Sequence, residues 1–153
     1  MTLALPLILH MLAAVTWVGG MFFAYLILRP VAAKLFEPPV RLTLWSHVFQ
    51  RFFPWVWGAI ITLLASGSWL VASMFGNIHS ASPHVHIMLV LGIVMVIIFM
   101  HLFFSPYKRL NQAVLAEDWP SGGQALNQIR QLIAINLTLG LCVIAIAVSG
   151  RYF

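Results

Sequence analysis

Charged residues and cysteine are scarce in this sequence. Only 7% of its 153 residues are charged, whereas a soluble domain carries about 25%. Because so few charges cannot cover a surface that faces water, a soluble globular fold is excluded. The single cysteine, Cys142, has no partner for an intrachain disulfide. Since it lies within an apolar run, we expect it to be buried as a small hydrophobic side chain.

Acidic residues are rarer still, and none of the three lies inside an apolar run. A carboxylate-based proton relay or cation pump within a membrane is therefore excluded. The sequence also lacks a Ser/His/Asp grouping, a CxxC pair and a phosphate-binding loop. A signal peptide is not expected, because the first basic residue, Arg29, comes after the first apolar run instead of preceding it.

Long apolar runs are what the sequence does contain, with 62% of its residues hydrophobic. Four runs cover about residues 3–28, 53–75, 85–104 and 132–148. Each approaches or exceeds the roughly 20 residues that a helix needs to cross a bilayer. Backbone groups in lipid must be satisfied within their own segment, so the runs are expected to be helical. The sequence predicts an all-α, integral membrane four-helix bundle that forms a single transmembrane domain over residues 1–153.

Basic residues are distributed unevenly between the connections. The first and third connections carry seven of them: Arg29, Lys34, Arg41, Arg51, Lys108, Arg109 and Arg130. The second connection, residues 76–84, carries no lysine or arginine. The positive-inside rule then predicts a multi-pass protein of a bacterial-type inner (plasma) membrane, with both termini outside. The net charge of +5 is explained by this orientation, so no nucleic-acid partner is expected and the lipid bilayer is the predicted surrounding.

The first connection is long enough to hold structure of its own. Residues 40–51 mix apolar and polar side chains, which predicts either an amphipathic helix at the inner interface or an extension of the second span. Pro54 suits the start of a helix. Residues 119–123, WPSGG, predict a turn before the fourth span.

Histidines are the residues with the clearest chemical potential, because polar rings within membrane spans usually have a partner or a task. Heights can be measured along each span from the first basic residue on its inner side. On this scale His10 and His86 lie about 28 and 33 Å toward the outer surface, so they share one outer layer. His101 lies only about 10 Å up, in an inner layer with His47. The difference of roughly 18 Å keeps His10 and His101 from sharing one metal.

Two helical faces carry these histidines. The first span presents His10 above a face of small and aromatic residues: Ala13, Ala14, Trp17, Gly20, Met21 and Ala24. The third span places Val90, Ile93, Ile97 and His101 on one stripe below His86. His86 and His101 are about 60° apart in projection, so both can face the bundle interior, one near each membrane surface.

Neutral imidazole binds haem iron and copper, which leaves three alternatives. The leading prediction is a haem b redox protein, with His10 and His86 as ligands and a slot lined by Trp17, Met21 and Met88. His101, with His47, would then mark a second haem or a quinone site. The second alternative is a copper-handling protein in which the outer histidines, with His84 and His79 near His10 and His86, form the metal entry. Met11 and Met100 cannot chelate together with the histidines next to them in sequence. The third is a metal-free accessory subunit.

Several motifs resemble those of a known family. Residues 9–20, LHMLAAVTWVGG, resemble the L-H-x-x-A-x-x-x-W-x-G-G opening of the copper-resistance D (CopD) family and of the related HemJ-type protoporphyrinogen oxidases. Arg51-Phe52, Ser66-Gly67 and the segment from His101 to residues 107–110 resemble further motifs of that family.

The resemblance implies a four-helix membrane domain, and the HemJ-type relatives imply haem b and electron transfer toward quinone. Their first-span histidine corresponds to His10. Met88 stands where those proteins have a lysine, so protoporphyrinogen oxidation itself is not predicted.

Overall fold

The computed structural model describes residues 3–150, and every regular element in that range is helical. The helices are α1 (Ala4–Phe22), α2 (Arg29–Leu35), α3 (Pro38–Phe75), α4 (Pro83–Phe104), α5 (Pro106–Leu115) and α6 (Trp119–Ser149). A π-helical segment, Phe23–Leu28, joins α1 to α2, and a short 3-10 turn, Ile78–Ser80, lies between α3 and α4.

Four helical stretches are long and apolar enough to span a membrane. They are Ala4–Leu35, Pro38–Phe75, Pro83–Leu115 and Trp119–Ser149. The predicted all-α, four-helix membrane bundle is thereby confirmed, and the chain is a multi-pass membrane protein. Which side the termini face stays a prediction.

The second span begins well before its predicted start at residue 53. α3 runs without interruption from Pro38 to Phe75, so the amphipathic stretch is an extension of the span, not a separate interfacial helix. Pro38 and Pro39 occupy the first turn, where a missing N–H costs little. Pro54 lies inside the helix, which corrects its predicted place at the start. It removes one backbone hydrogen bond, which the packing of this long helix tolerates.

The fourth span also begins early, because WPSGG forms the first turn of α6 and not a loop. The Asp118 side chain accepts a hydrogen bond from the Ser121 backbone N–H, which caps the helix. The pKa of Asp118 is held below its usual value mainly by a hydrogen bond from the Ser121 side chain, and to a smaller extent by the bond from the Ser121 backbone. The chain reverses just before, at Glu117, whose φ is +54°.

The four spans are arranged so that α1 packs against α3 and α6, and α6 packs against α4 and α5. Aromatic rings fill the space between α3 and α4. The Phe53 and Phe99 centroids are 5.4 Å apart, and those of Trp57 and Phe103 are 5.7 Å apart. We call the end of the bundle that carries His10, His84 and His86 the histidine end, and the opposite end the arginine end.

Burial is concentrated toward the arginine end. A Cβ added at Gly122 of α6 would lie 3.2 Å from Leu42 Cδ1 and 3.5 Å from Ala113 Cβ, so α3, α5 and α6 meet closely there. Toward the histidine end the spans pack less tightly, and Ser66 is the last buried residue of α3. Cys142, expected to be buried, is exposed on the outer face of α6, because within residues 3–150 that side of the helix is not covered by another span.

Candidate functional site at the histidine end

His10 lies at the top of the inward face of α1. Ala13, Trp17 and Met21 come next at helical spacing and are buried, while His10 itself is half-buried. The face predicted from the sequence is therefore the one that packs into the bundle. Its small residues bring α3 close to α1, and this contact determines the surroundings of His10.

Ser66 of α3 fixes the protonation of the His10 ring. Nδ1 of His10 lies 2.9 Å from the Ser66 hydroxyl oxygen. That hydroxyl donates its only proton to the Thr62 carbonyl one turn earlier in α3. With its proton directed to that carbonyl, the oxygen is an acceptor for His10. Nδ1 therefore carries the hydrogen, and Nε2 presents a free lone pair.

Gly67 makes room for the same ring. A Cβ added there would lie 3.3 Å from Cε1 and 3.7 Å from Nδ1 of His10. A larger residue would push the imidazole away from the Ser66 hydroxyl. Ser66 thus holds the ring by a hydrogen bond, and the absence of a side chain at Gly67 leaves the space that the ring occupies. The sequence contains no signal that connects this pair to His10, because the residues are 56 and 57 positions apart.

A contact layer in the middle of the bundle gives a common reference for height. A Cβ added at Gly140 would lie 2.8 Å from Val18 Cγ2 and 3.2 Å from Met95 Cε, so these three residues of α1, α4 and α6 are level. At 1.5 Å per residue, His10 lies about 12 Å above this layer and His86 about 13.5 Å above it. Both histidines are therefore at nearly the same height.

His86 is held by its own helix. Its Nδ1 lies 3.2 Å from the Ser82 carbonyl, which can only accept, so Nδ1 is the donor and Nε2 is free. His86 is half-buried, and nine residues at 100° each place it about 180° around α4 from the buried Met95.

The stripe below His86 points out of the bundle as well. Val90, Ile93 and Ile97 are 59%, 45% and 60% exposed, and His101 is also exposed. The exposed His101 therefore does not face the interior, whereas His86 is half-buried. The interior face of α4 is formed instead by Met95, Phe99 and Leu102.

His84 is the α4 histidine in line with that interior face, about 20° from Met95 in projection. Its side chain lies against the end of α6, since a Cβ added at Gly150 would lie 2.7 Å from His84 Cβ. Met88 is one turn further into the bundle on the same stripe, and both residues are half-buried. His84 can be assigned to the interior face once an interior residue such as Met95 is known. The sequence does not identify that residue, because this run is apolar on all sides.

The remaining predicted site residues are separated from this group. His101 lies about 21 Å below His10 in height, and His47, at the arginine end, is exposed. Trp17 and Met21 are each 3% exposed, and the Trp17 ring packs edge-on against Phe99 with centroids 6.2 Å apart. The predicted slot is thus filled by side chains at this depth.

The donor set at the histidine end consists of imidazoles and thioethers. Within residues 3–150, no three histidine, cysteine or acidic side chains are grouped closely enough to hold a metal ion between them. The side chains at this end that could donate to a metal include the imidazoles of His10, His84 and His86 and the thioether of Met88.

Comparison with protein families gives one match. A family model described as CopD, copper resistance protein D, matches residues 46–149, which is more than half of the chain. The matched region includes Ser66, Gly67, His84 and His86 but begins after α1. No curated protein and no solved structure matches the chain.

Proposed function

The chain belongs to the copper resistance protein D family, and from this premise we propose that it handles copper ions as its substrate at the histidine end of its membrane bundle. The observation that carries the proposal is the hydrogen bond between His10 Nδ1 and the Ser66 hydroxyl, which leaves Nε2 free when that hydroxyl donates its proton to the Thr62 carbonyl. Histidines that ligate metals are typically held in this way by a hydrogen bond at the other ring nitrogen.

His84 and Met88 supply the second part of the proposed copper site. Residues four apart on a helix are neighbours, with Cβ atoms about 5–6 Å apart. An imidazole and a thioether at that spacing form a donor pair for Cu(I), which prefers soft ligands. The methionines next to His10 and His101 in sequence lack this geometry, which is why sequence reasoning ranked copper second.

A haem b site, with quinone as electron partner, is the second candidate. The equal height of His10 and His86 and their matching tautomers favour it. Against it, Trp17 and Met21 pack within the core instead of lining a slot, and by helical projection His86 lies on the side of α4 opposite to Met95. Copper handling therefore agrees better with the geometry and with the family.

Copper and haem are separated by the purified protein itself. We expect colourless protein that binds Cu(I) in competition with a chromophoric chelator, with binding lost in His10→Ala and retained in His101→Ala. The second variant is the matched control, because His101 is an exposed histidine far from the site. A Soret band, or equal Cu(I) binding by His10→Ala and the unmodified protein, would overturn the proposal.

The proposed setting is the inner membrane of a bacterium, with the histidine end outside. The native Cys142 would be replaced by alanine, and single cysteines introduced as Asn77→Cys and Ala116→Cys at the two ends. A membrane-impermeant maleimide should label the first in intact cells and the second only after lysis. The reverse pattern would place the histidine end in the cytoplasm.

A further inference from the structure

A basic cavity opens between the first and fourth spans at the arginine end. Its volume is about 500 Å³. The polar part of its wall is formed by Tyr25, Arg29, Asn127, Arg130 and Gln131, and the apolar part by Ala134 and Ile135. Among the residues that the structure describes, no acidic side chain lines it. The cavity is far from the proposed copper site and independent of it.

The cavity holds positive charge that the described residues do not neutralise. Arg29 and Arg41 lie close enough to Arg130 to repel it. One terminal nitrogen of Arg130 donates to Asn127 Oδ1 at 3.2 Å, while its Nε is buried without a hydrogen-bond partner in the described part of the chain. A buried donor without an acceptor is costly, so an anion that accepts from Arg130 would stabilise this arrangement.

The backbone is arranged to present the second arginine. Tyr25 lies in the π-helical segment, which ends where the Arg29 N–H bonds to the Ala24 carbonyl, five residues earlier. The extra residue in such a segment rotates the next helical turn about the axis, and π-helical segments occur often at functional sites. The guanidinium of Arg29 lies over the Tyr25 ring, 4.9 Å from its centroid, which orients it.

The height of the cavity indicates what it binds. Relative to the layer of Val18 and Gly140, Arg29 lies about 16.5 Å and Arg130 about 15 Å toward the arginine end. Half of a hydrocarbon core is about 15 Å thick. With the contact layer placed at the bilayer midplane, both guanidinium groups fall at the boundary between lipid tails and headgroups, and Ala134 and Ile135 lie on the tail side of Arg130.

We propose that this cavity is a binding site for an anionic glycerophospholipid. Arg29 and Arg130 hold the phosphate, and Ala134 and Ile135 contact the upper part of an acyl chain. Basic pockets between transmembrane helices commonly recognise anionic headgroups. The planar fork of arginine suits the phosphate oxygens better than an ammonium group does.

Native mass spectrometry of the full chain, delipidated in detergent, tests the site. The probes are phosphatidylglycerol, phosphatidylcholine and inorganic phosphate. Phosphatidylglycerol should bind about tenfold more tightly than phosphatidylcholine. Arg130→Gln or Arg29→Gln should abolish most of this roughly tenfold preference, because charge-assisted hydrogen bonds to phosphate are the strong ones. Arg130→Lys, which keeps the charge without the fork, should retain part of it.

Arg51→Gln is the matched control, because Arg51 is an exposed arginine at the same end that does not line the cavity. It should leave the preference for phosphatidylglycerol unchanged. Equal losses in Arg51→Gln and Arg130→Gln would reduce the effect to overall charge and overturn the site. Inorganic phosphate that displaces the lipid at equal concentration would assign the cavity to free phosphate and overturn the lipid. Folding of each variant is checked by its helical circular dichroism and elution volume.

Discussion

Replacing Ser66 with alanine isolates the hydrogen bond on which the copper proposal depends. Ser66 is 6% exposed, so water cannot easily replace its hydroxyl as the acceptor for His10 Nδ1. The ring then loses both its orientation and its fixed tautomer. Removing such an outer-shell partner usually lowers metal affinity about 10–100-fold. A decrease of this size corresponds to about 1.4 kcal/mol of binding free energy per factor of ten. It therefore agrees with the cost of roughly 1–3 kcal/mol for leaving a buried hydrogen-bond donor unsatisfied.

The assay is a titration of Cu(I) against a chromophoric chelator, with the purified variant in detergent. Ser68→Ala is the control, because its hydroxyl is exposed and bonds to Leu64 within α3. We expect its affinity to equal that of the unmodified protein. Unchanged affinity in Ser66→Ala, or the same decrease in Ser68→Ala, would refute the reasoning that Ser66 prepares His10 for metal.

Three further predictions concern stability and pH. Gly20→Val should destabilise the bundle by about 1–3 kcal/mol, because its side chain would overlap the Phe52 ring; Gly19→Val, which meets nothing within 4 Å among the described residues, should not. Unfolding in mixed micelles measures both. Asn136→Leu should change stability by less than about 1 kcal/mol, because the lost bond to the α4 backbone is offset by removal of a buried oxygen that has no partner within residues 3–150. The cap at Asp118 should stabilise the fold fully above the pKa of the unfolded aspartate. This contribution should be lost as pH falls through the lowered folded pKa, so thermal unfolding of Asp118→Asn should depend less on acid pH.

The number and type of the spans could be predicted because apolar length alone decides whether a helix can cross lipid. Their ends could not, because helices continue past the hydrocarbon on other contacts. α3 extends back to Pro38 since Leu42 and its neighbours pack against α5 and α6. Asp118 starts α6 through a capping bond that competes with the turn signal of the WPSGG residues.

The candidate site was predictable on α1 and not on α4. The face of α1 alternates small residues with larger ones, so His10 could be placed on it. α4 is apolar on every side, and its sequence contains no signal for the direction of the interior. The role of Ser66 was hidden for a different reason: it depends on a contact between residues 56 positions apart.

The length of α3 has a thermodynamic consequence. Its 38 residues extend about 57 Å, almost twice the roughly 30 Å of hydrocarbon. Neighbouring helices bury the part around Leu42 from water, whereas the part around Ser66 belongs to the apolar stretch that is expected to cross the bilayer. Exclusion of water stabilises the first part, as in a soluble protein, but contributes little between helices in lipid. Urea should therefore loosen the protruding layer first, while harsh detergents should act first on the span beside His10.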